Sequence, residues 1–329
     1  MDLCQKCETC CCYLEAEDLF CTNCGTEVPV IDGVTPNPQP TLQPVVRHYF
    51  DCQQCGASMS YDASVGSLRC PFCGSVEVKD QPQQLDIAPN RVVPFQVERP
   101  AATESLQKWL NEGFFRPPDL AEMAEVTSLV QVFVPYWVFH AQTKTTWTAD
   151  TSDVPWGAKA AWRPISGEHQ GSHQDVLIPA SQTLTAKESF SIFPFQIKDA
   201  IEYRPEVCAG ISVERFGLSR RVARPYAKKN IERRESQECD DLYIPASSRN
   251  VHVNILYSQM RSEPILVPLW IFAYRYKKRM FRFVVNGQTG RAFGDKPFSM
   301  EVLYPYIGYT VIGFLALCLI MMLMILFMR

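Results

Sequence analysis

A chain of 329 residues has room for two modest domains or one large one, and it needs no staple to hold a core. At 47% hydrophobic and 20% charged it is not a disordered, collagen-like or coiled-coil chain. The formal net charge of −3 conceals a split, because residues 1–90 carry 4 Lys and Arg against 12 Asp and Glu and the remainder carries 28 against 23. Attraction to phosphates or anionic lipids therefore belongs to the body and not to the acidic head.

Cysteine is equally uneven, with eleven of the fourteen in the first 73 residues. The chain opens with Cys4, Cys7, Cys10, Cys11 and Cys12, followed by Cys21 and Cys24. Cys7-x2-Cys10 with Cys21-x2-Cys24 gives a first zinc ribbon over residues 1–28; Cys4 rivals Cys10 as a ligand, and Cys11 and Cys12 have no assigned role. A spacer over residues 29–47, containing Pro29, Pro36, Pro38, Pro40 and Pro44, leads to the next element.

There Cys52-x2-Cys55-Gly56 and Cys70-x2-Cys73-Gly74 bracket a hairpin-like SMSYDASVGSLR, the spacing of a second zinc ribbon over residues 48–79. Each knuckle presents two thiolates on a tight turn, and four sulfurs close a tetrahedron with no position left for water. Both Zn2+ sites are thus expected to be structural and not catalytic. The N-terminal MDLCQKCETCC has neither a basic nor an apolar signal region, which counts against secretion and disulfides. Four thiolates on one Zn2+ add roughly two negative charges per site. With only Lys6, Arg47, Arg69 and Lys79 to offset them, the ribbons are not expected to hold nucleic acid. They read as two beads on a string.

A polar linker over residues 80–90 precedes a body over residues 91–297. It opens with the strand-like RVVPFQV and a helix over residues 103–112, started by a capping box, with Leu106, Trp109 and Leu110 on one face. Strands then dominate. LVQVFVPYWVFHAQTKTTWTAD alternates, and ILVPLWIFAYRY turns at Lys277-Lys278 into RMFRFVV and Asn286-Gly287. VPYWVF at 134–139 recurs as VPLWIF at 267–272, and DVLIPAS at 175–181 as DLYIPAS at 241–247, at offsets that exclude a tandem duplication.

Between the echoes lies a strongly basic segment, helical after Pro225, with Arg220, Arg221, Arg224, Lys228, Lys229, Arg233 and Arg234. It reads as a solvated face, or as a contact for anionic headgroups or nucleic acid. Glu168-His169-x3-His173-x-Asp175 has metal-ligand spacing, but the glycines around it oppose a helix and predict a loop with solvated histidines. With no phosphate-binding G-x4-G-K-[ST] loop and no G-x-S-x-G elbow, catalysis is not expected.

The last element is a transmembrane helix over residues 303–328, in which residues 307–328 carry no charge. At about 1.5 Å per residue that run is about 33 Å long, enough to cross a bilayer core. Tyr304, Tyr306 and Tyr309 mark its interface. Lys and Arg concentrate on its N-terminal side, which predicts a tail anchor with the N-terminal domains in the cytoplasm.

The motifs PFQV, VPYWVF, DVLIPAS, PEVCAGISVERF and VPLWIFAYRYKKRMFRFVVNGQTG, with the second ribbon, resemble a family of uncharacterised prokaryotic zinc-ribbon membrane proteins. Its members are labelled TFIIB-type zinc-ribbon or primosomal replication-factor-Y-like proteins. That family has no firm activity, so the resemblance implies an architecture and not a reaction. The expectation is an α+β fold with two ribbons, a β-rich body and one membrane helix. The expected function is a non-enzymatic, membrane-tethered cytoplasmic adaptor for an unknown protein partner; the alternative is a membrane-associated nucleic-acid-binding protein using residues 215–234.

Overall fold

The computed structural model describes residues 5–10, 13–14, 21, 26, 47–62, 69–81, 87–113, 115–157 and 161–327. At the N-terminus β1 (Gln5–Lys6) pairs antiparallel with β2 (Tyr13–Leu14). In the second ribbon β3 (Arg47–Cys52) lies between β4 (Ser58–Asp62) and β5 (Val78–Gln81), antiparallel to both. The body then runs β6 (Arg91–Val92), α1 (Arg99–Asn111), α2 (Leu120–Met123), β7 (Glu125–Thr151), β8 (Arg163–Pro179), α3 (Ala186–Ser191), β9 (Ile201–Glu202), β10 (Ser212–Glu214) and α4 (Arg220–Leu242). It closes with β11 (Ser248–Tyr276), β12 (Arg279–Asn286), β13 (Ala292–Gly294) and the apolar α5 (Met300–Phe327). The fold is α+β.

The spine is the antiparallel ladder of β7 with β11, strands of 27 and 29 residues. Residues 132–139 of β7 are buried on both faces and form a continuous apolar run; beyond them burial alternates, as in a strand with one wet face. Val132, Val134 and Tyr136 point to one side, into a core shared with Val267, Leu269 and Ile271. On the other side α4 covers Trp137, Phe139 and Ala141, and α1 covers Trp270, Phe272 and Tyr274.

The VPYWVF and VPLWIF echo is explained by this ladder. Val134 pairs with Val267, so the two motifs meet at their first residues and run in opposite directions from there. Trp137 donates its indole N–H to the Leu218 carbonyl at the entry to α4, and Trp270 donates to the Val97 carbonyl at the entry to α1, each at 2.8 Å. Each helix thus docks on the strand that does not follow it in sequence. The second echo has no such equivalence, since 175–181 ends β8 whereas 241–247 closes α4 and enters β11.

Three local expectations are corrected. α1 starts at Arg99, ahead of residue 103, because Pro100 suits a first helical turn; Thr103 donates back to the Arg99 carbonyl, and the capping box of this chain sits at Thr185 and Glu188 instead. α4 starts ahead of Pro225, with the Ser219 hydroxyl accepting from the Val222 amide. The second ribbon is not a separate bead. β4 pairs with β10, and β10 pairs in parallel with β7 at Val132 and Phe133, so the ribbon continues the body sheet. Phe50, Tyr61 and Phe72 need burial that a small ribbon cannot supply, and they find it in the core of Val132, Val134 and Tyr136.

α5 stands clear of the body, and every side chain described along its apolar length from Val311 is exposed. At its root Phe298 packs on Phe115, and the Ser299 amide donates to the Phe115 carbonyl. The tip of the β11–β12 hairpin, residues preceding α2 and the first turn of α5 line one cavity of about 580 Å³.

Candidate metal centre

The two knuckles of the second ribbon are built alike. Cys52 and Cys70 each accept a hydrogen bond from the glycine four residues on, Gly56 at 2.9 Å and Gly74 at 2.8 Å. Both glycines have φ of 74°, a left-handed conformation that a side chain would strain. The Cys52 and Cys73 sulfurs are 3.6 Å apart, those of Cys55 and Cys70 3.5 Å apart, and all four lie within 4.8 Å of one another. A tetrahedral site with metal–sulfur bonds of about 2.3 Å has edges of about 3.8 Å. The donor set therefore fits a thiophilic tetrahedral cation. Crowding splits the thiols: the hydrogen bond from Cys70 holds Cys55 down at about 5, while that bond and burial push Cys70 up.

In the N-terminal cluster the structure brings Cys7, Cys10 and Cys21 together, with the Cys10 and Cys21 sulfurs 3.5 Å apart. These three can hold a metal ion. The expected fourth ligand Cys24, the rival Cys4, and Cys11 and Cys12 lie outside the described residues.

The seven basic residues of α4 do not form one surface. Arg220 is buried, Arg224 and Lys228 are half-buried, and Arg221, Lys229, Arg233 and Arg234 are exposed. Lys228 lies 5.1 Å above the Tyr257 ring, and Arg233 donates to Asn230 at 3.2 Å.

The histidine segment departs most from expectation. Residues 163–179 form β8, not a loop, and His169, Gly171 and His173 share one face of it. Opposite them, α4 turns a stripe of Ala223, Ala227, Ile231, Glu235 and Cys239 to the sheet. Glu235 is 0% exposed. Its Oε1 accepts from Thr143 at 2.7 Å and from His173, and its Oε2 accepts from Thr145 and from His169 at 2.8 Å. The glycine that argued for a loop makes room for the carboxylate, since a Cβ on Gly171 would lie 1.9 Å from Glu235 Oε1. Burial alone would raise the pKa of Glu235. Hydrogen bonds from Thr145, Thr143 and His173, with the charge of His169, outweigh it and hold the group below the ordinary carboxylate value. His169, Glu235 and Glu238 lie close enough to share a cation, but each Glu235 oxygen already accepts two hydrogen bonds, so this cup is complete without one.

Glu214 is a second buried carboxylate that sequence reasoning passed over. It lies in β10, at the seam between ribbon and body, and is 2% exposed. Ser181 Oγ, the amides of Gln182 and Thr183, and Thr183 Oγ1 all donate to its Oε1, while its buried Oε2 has no partner among the described residues. Burial pushes it up to about 7. In the sequence, a glutamate continuing an apolar i, i+4 stripe was the available signal for Glu235; for Glu214 there was none.

No protein-family model matches the chain, and no solved structure matches it. The chain is similar to the "Uncharacterized protein YdjG" of Bacillus subtilis (strain 168), with 22% identity over 333 residues that cover 84% of this chain and 98% of that protein.

Proposed function

We propose that the protein is a membrane-tethered zinc-ribbon adaptor. α5 crosses the bilayer, the body stands on the cytoplasmic side, both cysteine clusters carry structural Zn2+, and the work is the binding of another protein. One observation carries this reading: the closed four-sulfur centre is built into the same sheet whose last segment leads into an apolar, fully exposed helix. Such a closed centre stabilises a platform and offers no coordination position to a substrate.

The test is membrane fractionation of the full chain and of a chain ending at Lys296, followed by affinity capture from the membrane with and without residues 1–80. Loss of the membrane fraction on truncation, and loss of captured protein without the ribbons, are expected. A full chain that stays out of the membrane overturns the tether. Zinc removal by a chelator is expected to unfold the second ribbon and expose Phe50, Tyr61 and Phe72, read as a rise in ANS fluorescence. The exposed Arg221, Lys229, Arg233 and Arg234 favour nucleic acid as a second reading; steeply salt-dependent retention of DNA or RNA by the full chain supports it, and no retention at low salt removes it.

A further inference from the structure

The parallel contact between β10 and β7 is short, and what lies beyond it is open. β11 pairs with one edge of β7 along its whole length. On the opposite edge β8 covers Tyr136 to Thr151 and β10 reaches Val132 and Phe133; no strand among the described residues pairs with residues 125–131 there. Where β10 begins, its line gives way to a groove of about 820 Å³. Residues 128–131 of β7 line it, with Tyr61, Arg69 and Pro71 of the ribbon, residues 95–98 ahead of α1 and Arg99 at its start.

The main chain of β7 faces into this groove. Successive residues of a strand turn their peptide groups to opposite edges. The Pro135 carbonyl accepts from the Ala180 amide on the β8 edge, so Leu129 and Gln131 face the same edge; the parallel pairing of Ser212 with Val132 uses the Gln131 carbonyl, while the Gln131 N–H and both groups of Leu129 meet no strand among the described residues. Ser128 adds a hydroxyl, shut off from solvent, with no hydrogen-bond partner among the described residues. An edge left unpaired among the described residues, with a wall on each side, is the arrangement in which a partner adds a strand: main-chain hydrogen bonds supply affinity, and the walls read alternate side chains.

We infer that this groove receives an extended, proline-free segment of a partner protein, which continues the line of β10 along residues 128–131. At about 3.3 Å per residue that edge spans roughly 13 Å. Arg69 and Arg99, both exposed and both lining the groove, outnumber Glu98 and select acidic side chains in the segment. The inference deepens the adaptor reading by naming the form of its partner.

The test uses the full chain in detergent micelles against a displayed library of random ten-residue peptides. Enriched sequences are expected to lack proline and to carry β-branched, aromatic and acidic residues. Gln131→Pro removes an N–H from the groove edge only and leaves the β11 ladder its donors. It is expected to weaken capture about tenfold, the effect of one main-chain hydrogen bond, while metal content stays unchanged. Arg69→Glu with Arg99→Glu is expected to shift the enriched peptides from acidic to basic. Amide exchange at Leu129 and Gln131 is expected to be fast in the free chain and slowed by the peptide. Protection already present in the free monomer, peptides that bind Gln131→Pro equally well, no enrichment at all, or self-association abolished by Gln131→Pro each overturn the proposal; the last assigns the edge to a second copy of the chain. None of these readouts depends on membrane insertion, so failure here is distinct from failure of the tether.

Discussion

Glu235 and Glu214 are both buried, each accepts four hydrogen bonds, and they are driven in opposite directions. Glu235, between α4 and the sheet, receives two donors on each oxygen, one of each pair from a histidine. Glu214, at the ribbon seam, receives four neutral donors on one oxygen and none on the other among the described residues. The first is held below its ordinary pKa and the second is pushed up to about 7. Burial raises both groups; at Glu235 donors on both oxygens and the charge of His169 outweigh it, and at Glu214 four neutral donors on one oxygen do not.

The sharpest way to break this contrast is Glu235→Ala, which leaves two histidines and two threonines aimed at nothing. A loss of about 3–5 kcal/mol is expected in denaturant unfolding of the metal-loaded chain. Gly171→Ala tests the same cup from the strand side. Its Cβ would meet Glu235 Oε1 at 1.9 Å, and displacing the carboxylate is expected to cost about 1–3 kcal/mol.

The smaller effects carry the signs. Because the folded pKa of Glu235 is depressed, its contribution is present above the unfolded value of about 4.3 and lost as pH falls. The penalty of Glu235→Gln is therefore expected to be largest near neutrality and to shrink in acid. Glu214 is the reverse: with a folded pKa of about 7, its contribution is present in acid and lost as pH rises through neutrality. Glu214→Gln is expected to be nearly neutral at pH 5 and stabilising at pH 8. Unfolding free energies of the two variants relative to the parent should slope in opposite senses, Glu235→Gln below about pH 5 and Glu214→Gln between pH 5 and pH 8; slopes of the same sign would end the distinction.

Much of the architecture was legible because it rests on short-range chemistry. Knuckle spacing located both cysteine clusters, and the strand pattern of residues 129–150 located β7. What was hidden depended on partners far away in sequence. The pairing of Val134 with Val267, where VPYWVF and VPLWIF meet, is a register, which no local window reveals. Gly171 signals a loop until Glu235, 64 positions later, needs the space of its missing side chain. Glu235 itself sat among Arg233, Arg234 and Glu238 in a run whose charge masked the stripe of Ala223, Ala227, Ile231 and Cys239. The ribbon was legible as a metal site but not as part of the sheet, because the link is the three-residue β10.

The ladder is rooted at one end only. Glu125 pairs with Arg275 beside the hairpin tip that flanks the first turn of α5. The ribbon seam at Val132 lies seven residues along β7 from there, about 23 Å, whereas the cup at Thr143 lies eighteen residues along, about 60 Å. Were α5 to cross a bilayer as proposed, a segment held at the seam would search a surface instead of a volume, and would do so nearer the root of α5 than anything held at the cup.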